Sequence, residues 1–97
     1  MSLTLSCLLW AHSGRESALV EYEDKVLALL PDHDAKLLSR VRSDGTDGHP
    51  LEVQLYEFPS QEALDGYLGD DRRTALAAER EASVARTEII PVIVVSP

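Results

Sequence analysis

The last predicted strand of the chain, residues 87–95, most constrains what the chain can fold into. Six of its nine residues are isoleucine or valine, so it is the strongest β-strand signal in the sequence. A strand with one face in water alternates apolar and polar residues, and this strand does not. Both alternating sets are apolar: Ile89, Pro91, Ile93 and Val95 on one face, and Ile90, Val92 and Val94 on the other. We therefore expect protein on both faces, with helices of the same chain on one and a second copy of the chain on the other.

Length and charge bound the remaining possibilities. The 97 residues are expected to form a single domain, residues 1–97. The formal net charge is −8 and the nine lysines and arginines form no basic run, so we expect no nucleic-acid binding and no binding to acidic membranes. The apolar run at residues 3–10 is too short for a membrane span and lacks the basic flank of a signal peptide, so a cytoplasmic location is expected. Cys7 is the only cysteine, which excludes an internal disulfide and a cysteine-built metal site.

The order of predicted elements is β-α-β-β-α-β. This order is the ferredoxin-like plan of the α+β class, a four-stranded antiparallel sheet with two helices on one face. Ser60 and Asp70 are the predicted N-caps of two helical segments that Gly69 separates. The last strand lies at a sheet edge beside the first, where Pro91 is tolerated because it has no N–H to donate. The predicted elements are strand 3–10, helix 14–30, strand 35–42, strand 51–58, helix 60–85 and strand 87–95.

The segment that joins the third strand to the second helix resembles a known group. It reads Glu-Phe-Pro-Ser-Gln-Glu-Ala-Leu over residues 57–64, followed by Tyr67-Leu68 and by Asp71-Arg72-Arg73. With the element order, this resembles the dimeric α+β barrel superfamily, nearest to a small bacterial family of unknown function within it. The resemblance implies a homodimer in which two sheets pack face to face. Relatives in the superfamily include cofactor-free monooxygenases and cyclases of polyketides, haem enzymes and muconolactone isomerases, so the fold does not fix the function.

Scattered polar residues are the candidates for a site, since no motif of known chemistry is present. His12 and Tyr22 are the candidate catalytic residues, His12 because it follows the first strand and Tyr22 because a tyrosine can take a proton. Histidine 33 and histidine 49, like His12, fall in separate predicted turns, so we expect no metal site and no haem ligand. The candidate ligand-binding residues are expected to cluster on the less apolar face of the sheet: Trp10, Arg40, Gln54 and Tyr56.

Two functions remain open at this point. The first is a cofactor-free enzyme, monooxygenase-like or cyclase-like, acting on a small aromatic or polyketide-like molecule. The second is a non-catalytic dimeric module that binds a small ligand or a protein. The presence of several polar candidates favours the enzyme. The binding module is favoured if these residues have their usual structural roles, packing at an interface and pairing of charges. A cavity between the sheet and the helices, lined by several of these groups together with a histidine or tyrosine, would favour the enzyme over the binding module.

Overall fold

A computed structural model describes residues 2–96 and shows two layers, one of strands and one of helices. Its principal extents are 39 × 37 × 16 Å, and the 16 Å thickness is that of one sheet with one layer of helices. The ferredoxin-like α+β fold predicted from the sequence is confirmed. The elements are β1 (Leu3–Ala11), α1 (Glu16–Leu27), a 3₁₀ turn (Leu30–His33), β2 (Lys36–Arg42), β3 (Glu52–Phe58), α2 (Gln61–Leu68), α3 (Asp71–Thr74), α4 (Ala77–Ser83) and β4 (Val84–Pro91).

The sheet is antiparallel, with the strand order β2-β3-β1-β4. The last strand therefore lies at an edge, next to the first, as predicted. Leu5 of β1 is opposite Tyr56 of β3 on one side and Pro91 of β4 on the other. Because residues directly opposite in an antiparallel pair share a face, this register assigns each side chain of the sheet to one face.

The hydrophobic core lies between the helices and one face of the sheet. From α1 it takes an apolar stripe at three- and four-residue steps, in which Leu19, Tyr22 and Val26 are almost completely buried. From the sheet it takes the alternate residues of β1 that begin at Leu5, and also Phe58, which is 0% exposed. The ring of Phe58 packs at 5.4 Å from that of Tyr56 and 5.5 Å from that of Tyr67 of α2, measured between ring centroids.

The orientation of β3 differs from the one expected for the polar candidates. Its more polar alternate set, which includes Gln54 and Tyr56, is buried against the helices, whereas Val53 and Leu55 lie on the opposite face. In β1, Cys7 and Leu9 lie opposite Gln54 and Glu52 and therefore share their buried face. Trp10 is the residue after Leu9, so its side chain lies on the other face of the sheet. The predicted cluster of Trp10 with Gln54 and Tyr56 on one sheet face is therefore wrong.

The last strand is displaced along the chain relative to the prediction. It begins at Val84, three residues earlier than expected, because the preceding helix ends at Ser83, and it ends at Pro91. One further backbone hydrogen bond, from Val92 N to Thr4 O at 3.0 Å, continues the pairing with β1. Beyond it the chain leaves the sheet, and Ile93 and Val95 are 84% and 76% exposed. The strongest β signal thus extends past the end of its own sheet.

The face of the sheet away from the helices, here called the outer face, is apolar at its centre. Leu8 is opposite Val53, and Ser6 lies between Leu55 and Ile90. No helix within residues 2–96 packs on this face, so these side chains are partly exposed, with Ile90 at 45%. A second apolar face without a covering layer in its own chain is the feature that the sequence pattern of the last strand predicts.

Candidate small-molecule site

A cavity of about 270 Å³ lies between the inner face of the sheet and the helices α1 to α4. The sheet provides its floor and the segment from α2 to α4 forms the opposite wall. It combines aromatic, aliphatic and charged side chains, which is the composition of a small-molecule site. Its lining residues are Cys7, Leu9, Tyr22, Glu23, Gln54, Tyr56, Tyr67, Leu68, Arg73, Thr74, Ala77, Arg80, Thr87 and Ile89.

Two helix caps set the position of the wall. Ser60 caps α2 by accepting a hydrogen bond from the Ala63 N–H at 3.1 Å, which places Tyr67 on the buried side of that helix. After α2 ends, Asp70 caps α3 by accepting from the Arg72 N–H at 2.9 Å. Both predicted caps are confirmed. The short helix that follows carries Arg73 over the ring of Tyr67, with 4.6 Å between the guanidinium carbon and the ring centroid.

A buried carboxylate, Glu23 of α1, lies in the cavity wall. It is 5% exposed, and one of its oxygens accepts a hydrogen bond from the Gln54 side-chain amide at 2.9 Å. Burial raises the pKa of Glu23, the hydrogen bond from Gln54 lowers it, and the nearby charge of Glu52 raises it again, so that the pKa stays above its ordinary value. The cavity thus contains an acid–base group with a raised pKa.

A second carboxylate, Glu52 of β3, also accepts a hydrogen bond from the Gln54 side chain. It is 0% exposed and accepts two hydrogen bonds from Arg40, at 2.7 and 2.9 Å, and two from Arg42, at 2.9 and 3.1 Å. Burial tends to raise the pKa of Glu52, but the hydrogen bonds from Arg40, Gln54 and Arg42 outweigh it, and the pKa is lowered. Glu52 therefore stays ionised and accepts a bond from the same Gln54 amide at 2.9 Å, which fixes the amide between the two carboxylates.

The three tyrosines and the cysteine of the cavity remain protonated at neutral pH, because the pKa of each is raised. Burial is the largest cause of the raised pKa of Tyr22, Tyr56 and Tyr67, and it also raises the pKa of the Cys7 thiol to about 11. Each of these hydroxyl groups can therefore donate a hydrogen bond. The hydroxyl of Tyr67 already donates to the backbone oxygen of Val26 at 3.1 Å. Glu23 is thus the group of this set suited to accept a proton.

Two polar atoms of cavity residues are buried without a hydrogen-bond partner in the described structure. They are the side-chain carbonyl oxygen of Gln54, a residue only 1% exposed, and the Nε of Arg73. Buried polar atoms are nearly always paired in folded proteins, because an unpaired one costs about 1–3 kcal/mol. One of these atoms is an acceptor and the other a donor, and both belong to residues that line the cavity.

The structure brings some of the predicted site residues together and separates others. Tyr22, Gln54 and Tyr56 all line the cavity, and Arg40 lies outside it, where it binds Glu52. His12 is exposed, and its ring Nε2 lies 3.1 Å from the backbone oxygen of Glu81. Arg40 donates to Glu52 and does not line this cavity, so its contact with a ligand stays a prediction. Whether any of these residues acts on a substrate stays a prediction.

Trp10 lies away from the cavity, on the outer face of the sheet. Its indole N–H donates to the Gly48 backbone oxygen at 2.9 Å, and the guanidinium of Arg86 stacks on its ring at 4.5 Å. Both contacts anchor the long β2–β3 loop and the edge strand β4. Its predicted role in ligand binding therefore has no support in the geometry of this cavity.

Two central residues of the site, Glu23 and Arg73, were not predicted from the sequence. Glu23 belongs to an acidic stretch typical of a solvated helix face, and Arg73 follows acidic residues that usually pair with it locally. A signal for Glu23 existed, because it lies four residues after Leu19 and three before Val26, on the apolar stripe of α1. No comparable signal marked Arg73, since its place depends on the cap at Asp70.

Residues 2–96 contain neither a cluster of metal-ligating side chains nor a helix that could span a membrane. No group of three or more histidine, cysteine, aspartate or glutamate side chains in this range is arranged to hold a metal ion. His33 instead contacts Asp70, with 2.7 Å between the ring Nε2 and the carboxylate. In the same range no helix has the length and apolar character needed to cross a bilayer.

Comparison with known proteins identifies the fold. No family model matches the sequence, and no curated protein matches it. Among solved structures, the chain is similar to a dimeric protein of unknown function with a ferredoxin-like fold from Bacteroides fragilis, with a TM-score of 0.70 and 7% identity over 94% of each chain. It is also similar to a dabb family protein with a ferredoxin-like fold from Mesorhizobium loti, with a TM-score of 0.68 and 15% identity over 98% of each chain.

A third similar structure has a stated activity. It is SnoaB, a cofactor-independent oxygenase from Streptomyces nogalater, with a TM-score of 0.72 and 11% identity over 99% of this chain and 95% of that one. Identities this low establish a shared fold and nothing about shared chemistry. The ferredoxin-like fold expected from the order of elements is confirmed by the structures from Bacteroides fragilis and Mesorhizobium loti.

Proposed function

We propose that the cavity binds a small aromatic or polyketide-like molecule and removes a proton from it without a cofactor. The observation that carries this proposal is the position of Glu23, a buried carboxylate with a raised pKa in the wall of a cavity with three tyrosines. A general base works best when its pKa is close to the working pH, and burial shifts a carboxylate in that direction. Gln54 holds the base in place through a hydrogen bond of 2.9 Å.

The charges of the cavity suit the product of this step. The proton moves from a C–H or O–H group of the substrate to Glu23, and the negative charge moves to a substrate oxygen as an enolate or phenolate. Tyr22, which burial keeps protonated, can donate a hydrogen bond to that oxygen, and Arg73 and Arg80 provide positive charge in the same lining. Such an anion can react with dioxygen, as in a monooxygenase, or with a carbonyl group of the same molecule, as in a cyclase. The cofactor-independent oxygenase of the same fold supports the first outcome by analogy.

The proposal is tested by proton exchange, which detects the first step whatever follows it. Deuterium incorporation at the acidic carbon of 2-tetralone, an aromatic ketone, is followed by proton NMR in heavy water with and without the protein. We expect the wild type to accelerate exchange, and Glu23→Gln, which keeps the shape but cannot take a proton, to reduce the acceleration by at least about a hundredfold. The matched control is Glu21→Gln on the exposed side of the same helix, which should exchange like the wild type.

Two results would contradict the proposal. Equal exchange in the wild type and in Glu23→Gln excludes Glu23 as the base. Binding of the ketone without accelerated exchange excludes the enzyme and favours the alternative, a non-catalytic binding module that uses the same cavity.

We also propose that two copies of the chain pack through the outer face of the sheet. The apolar centre of that face, formed by Leu8, Val53 and Leu55, has no covering layer within residues 2–96, and the similar protein from Bacteroides fragilis is a dimer. Sedimentation velocity at micromolar concentration should therefore give a dimer. Leu55→Glu should give a monomer or an unfolded chain, because it buries an unpaired charge, whereas Ala78→Glu on the exposed side of α4 should stay dimeric. A wild-type monomer would refute this arrangement.

A further inference from the structure

We infer that the ligand of the cavity is an anion that also carries a hydroxyl group, a hydroxylated aromatic acid of one or two rings. The inference rests on the proposed function in one respect, that the cavity binds a small molecule. It goes further in assigning the charge of the ligand and the position of its hydroxyl.

The positively charged side chains of the protein differ in whether a carboxylate pairs with them. The chain has 17 acidic residues and nine lysines and arginines, so a carboxylate partner is available to nearly every cation. Lys25, Arg72 and Arg86 each form an ion pair at 2.6–2.8 Å, and the two arginines of β2 also bind carboxylates. Within residues 2–96, four of the nine have no carboxylate within 4.0 Å: Arg15, Lys36, Arg73 and Arg80. Of these four, Arg73 and Arg80 line the cavity.

The neutral contacts of these two arginines leave their charge available to a ligand. Arg73 donates to the backbone oxygen of Leu68 at 3.3 Å, and Arg80 donates to the hydroxyl of Thr87 at 3.2 Å. The Nε of Arg73 is buried and has no acceptor. A carboxylate of a ligand would satisfy this donor and neutralise positive charge in a partly desolvated site, where a charge-assisted hydrogen bond is strongest.

Gln54, which lines the cavity, has a side-chain acceptor without a hydrogen-bond partner. The side-chain NH₂ of Gln54 is fully used by Glu23 and Glu52, both at 2.9 Å, which leaves its carbonyl oxygen buried without a donor. Rotating the amide by 180° would point its oxygen at two carboxylates, so this orientation is the favourable one. A ligand hydroxyl would satisfy the carbonyl oxygen, and it would then lie next to Glu23, the proposed base.

The walls and the volume limit the body of the ligand. The rings of Tyr22, Tyr56 and Tyr67 and the aliphatic side chains of Leu9 and Ile89 form an apolar lining, which favours a flat ring between the two polar ends. The volume of about 270 Å³ lies just below the range for ligand pockets, about 300–1,000 Å³, so one or two rings fit better than an extended polycycle.

The experiment compares three probes that differ by one group each. Binding of 6-hydroxy-2-naphthoic acid, its methyl ester and 2-naphthoic acid to the wild-type chain is measured by isothermal titration calorimetry at pH 7. We expect the hydroxy acid to bind about tenfold more tightly than the ester, which lacks the charge, and about tenfold more tightly than 2-naphthoic acid, which lacks the hydroxyl. Changing the ligand tests the Gln54 contact without disturbing the buried network that Gln54 holds together.

Variants test the arginine contact. Arg73→Gln and Arg80→Gln should each bring the affinity for the acid closer to that for the ester, by about threefold to tenfold, and should leave the affinity for the ester unchanged within about twofold. The charge-matched control is Lys36→Gln, which removes a positive charge from an exposed position of β2 that does not line the cavity, and it should keep the preference for the acid.

Each outcome bears on a distinct claim. Equal affinity for the acid and the ester refutes the anion while leaving a small-molecule site in place. Equal affinity for the hydroxy acid and 2-naphthoic acid refutes the hydroxyl contact. A preference for the acid that survives in both arginine variants refutes the assigned residues. Failure of all three probes to bind at millimolar concentration refutes this inference, while the exchange assay with 2-tetralone tests the proposed function separately.

Discussion

Replacement of Glu52 by glutamine tests the charge network that supports the cavity. In the wild type this carboxylate is fully buried and accepts two hydrogen bonds from Arg40, two from Arg42 and one from Gln54. A glutamine at this position keeps one acceptor oxygen and replaces the other with an NH₂ group. That NH₂ group then faces the N–H donors of Arg40, Arg42 or Gln54. The free energy of unfolding should fall because the arginines lose a full charge partner and one of their acceptors.

The size of the loss follows from burial. Breaking a buried ion pair from one side costs about 3–5 kcal/mol, because the remaining charge is left without compensation. Here the Arg40 and Arg42 side chains are 21% and 46% exposed, so water can partly replace the lost partner. We therefore expect a loss of about 3 kcal/mol at pH 7, equivalent to a fall in melting temperature of roughly 15 °C for a chain of this size.

The pH dependence provides an internal check. The pKa of Glu52 is lowered in the folded state, so its contribution is fully present above its unfolded pKa of about 4.3 and is lost as the pH falls through the folded value. Urea unfolding followed by circular dichroism at fixed protein concentration should therefore show a constant difference from the wild type between pH 7 and about pH 5. The difference should shrink below about pH 4.

Glu57→Gln, a half-buried neighbour in the same strand on the outer face, is the control and should change stability by less than about 0.5 kcal/mol. A loss below about 1 kcal/mol in Glu52→Gln, or a difference that grows on acidification, would refute this reasoning.

Three further predictions concern the cavity itself. Glu23→Gln should raise the free energy of unfolding at pH 7 by about 1 kcal/mol, because the folded state then no longer contains an ionised carboxylate with a raised pKa. Urea unfolding measures this change, and a loss of stability would contradict the prediction. Burial raises the pKa of Cys7 to about 11, so the native thiol should react with Ellman's reagent at pH 8 about a hundredfold more slowly than the thiol in urea, and equal rates would show that the core is open to solvent. Tyr22→Phe should slow exchange of 2-tetralone by about a hundredfold with little change in KM, whereas a change in KM alone would restrict Tyr22 to binding.

The outline of the fold could be predicted because local signals agree with one another. The apolar stripe of α1, the caps Ser60 and Asp70 and the strand patterns all specify the same element order, and the structure confirms it. The end of the last strand could not be placed in this way, because six isoleucine and valine residues favour an extended conformation whether or not a neighbouring strand is available. In the structure the pairing of β4 with β1 ends at Pro91, which lies opposite Leu5 and has no N–H to donate.

Which alternate set of β3 side chains faces the helices could not be predicted from the sequence. Alternation separates Val53 and Leu55 from Gln54 and Tyr56, but it does not say which set faces the helices. The usual rule assigns the apolar set to the core, and it fails here because the polar set finds partners in Glu23 and the arginines of β2. The position of Gln54 and Tyr56 in the same cavity as Glu23 depends on this reversal, so alternation alone could not predict it.

Titration of the Glu23 carboxyl tests the central claim, that a buried base with a raised pKa lies in a ligand cavity. The side-chain carboxyl carbon is followed by ¹³C NMR between pH 3 and pH 9 and is assigned by its absence in Glu23→Gln. Our account predicts a midpoint above the ordinary value of about 4.3, and an exchange rate for 2-tetralone that rises with pH through the same midpoint. A midpoint at or below about 4.3, or an exchange rate that does not follow the titration of Glu23, would contradict it.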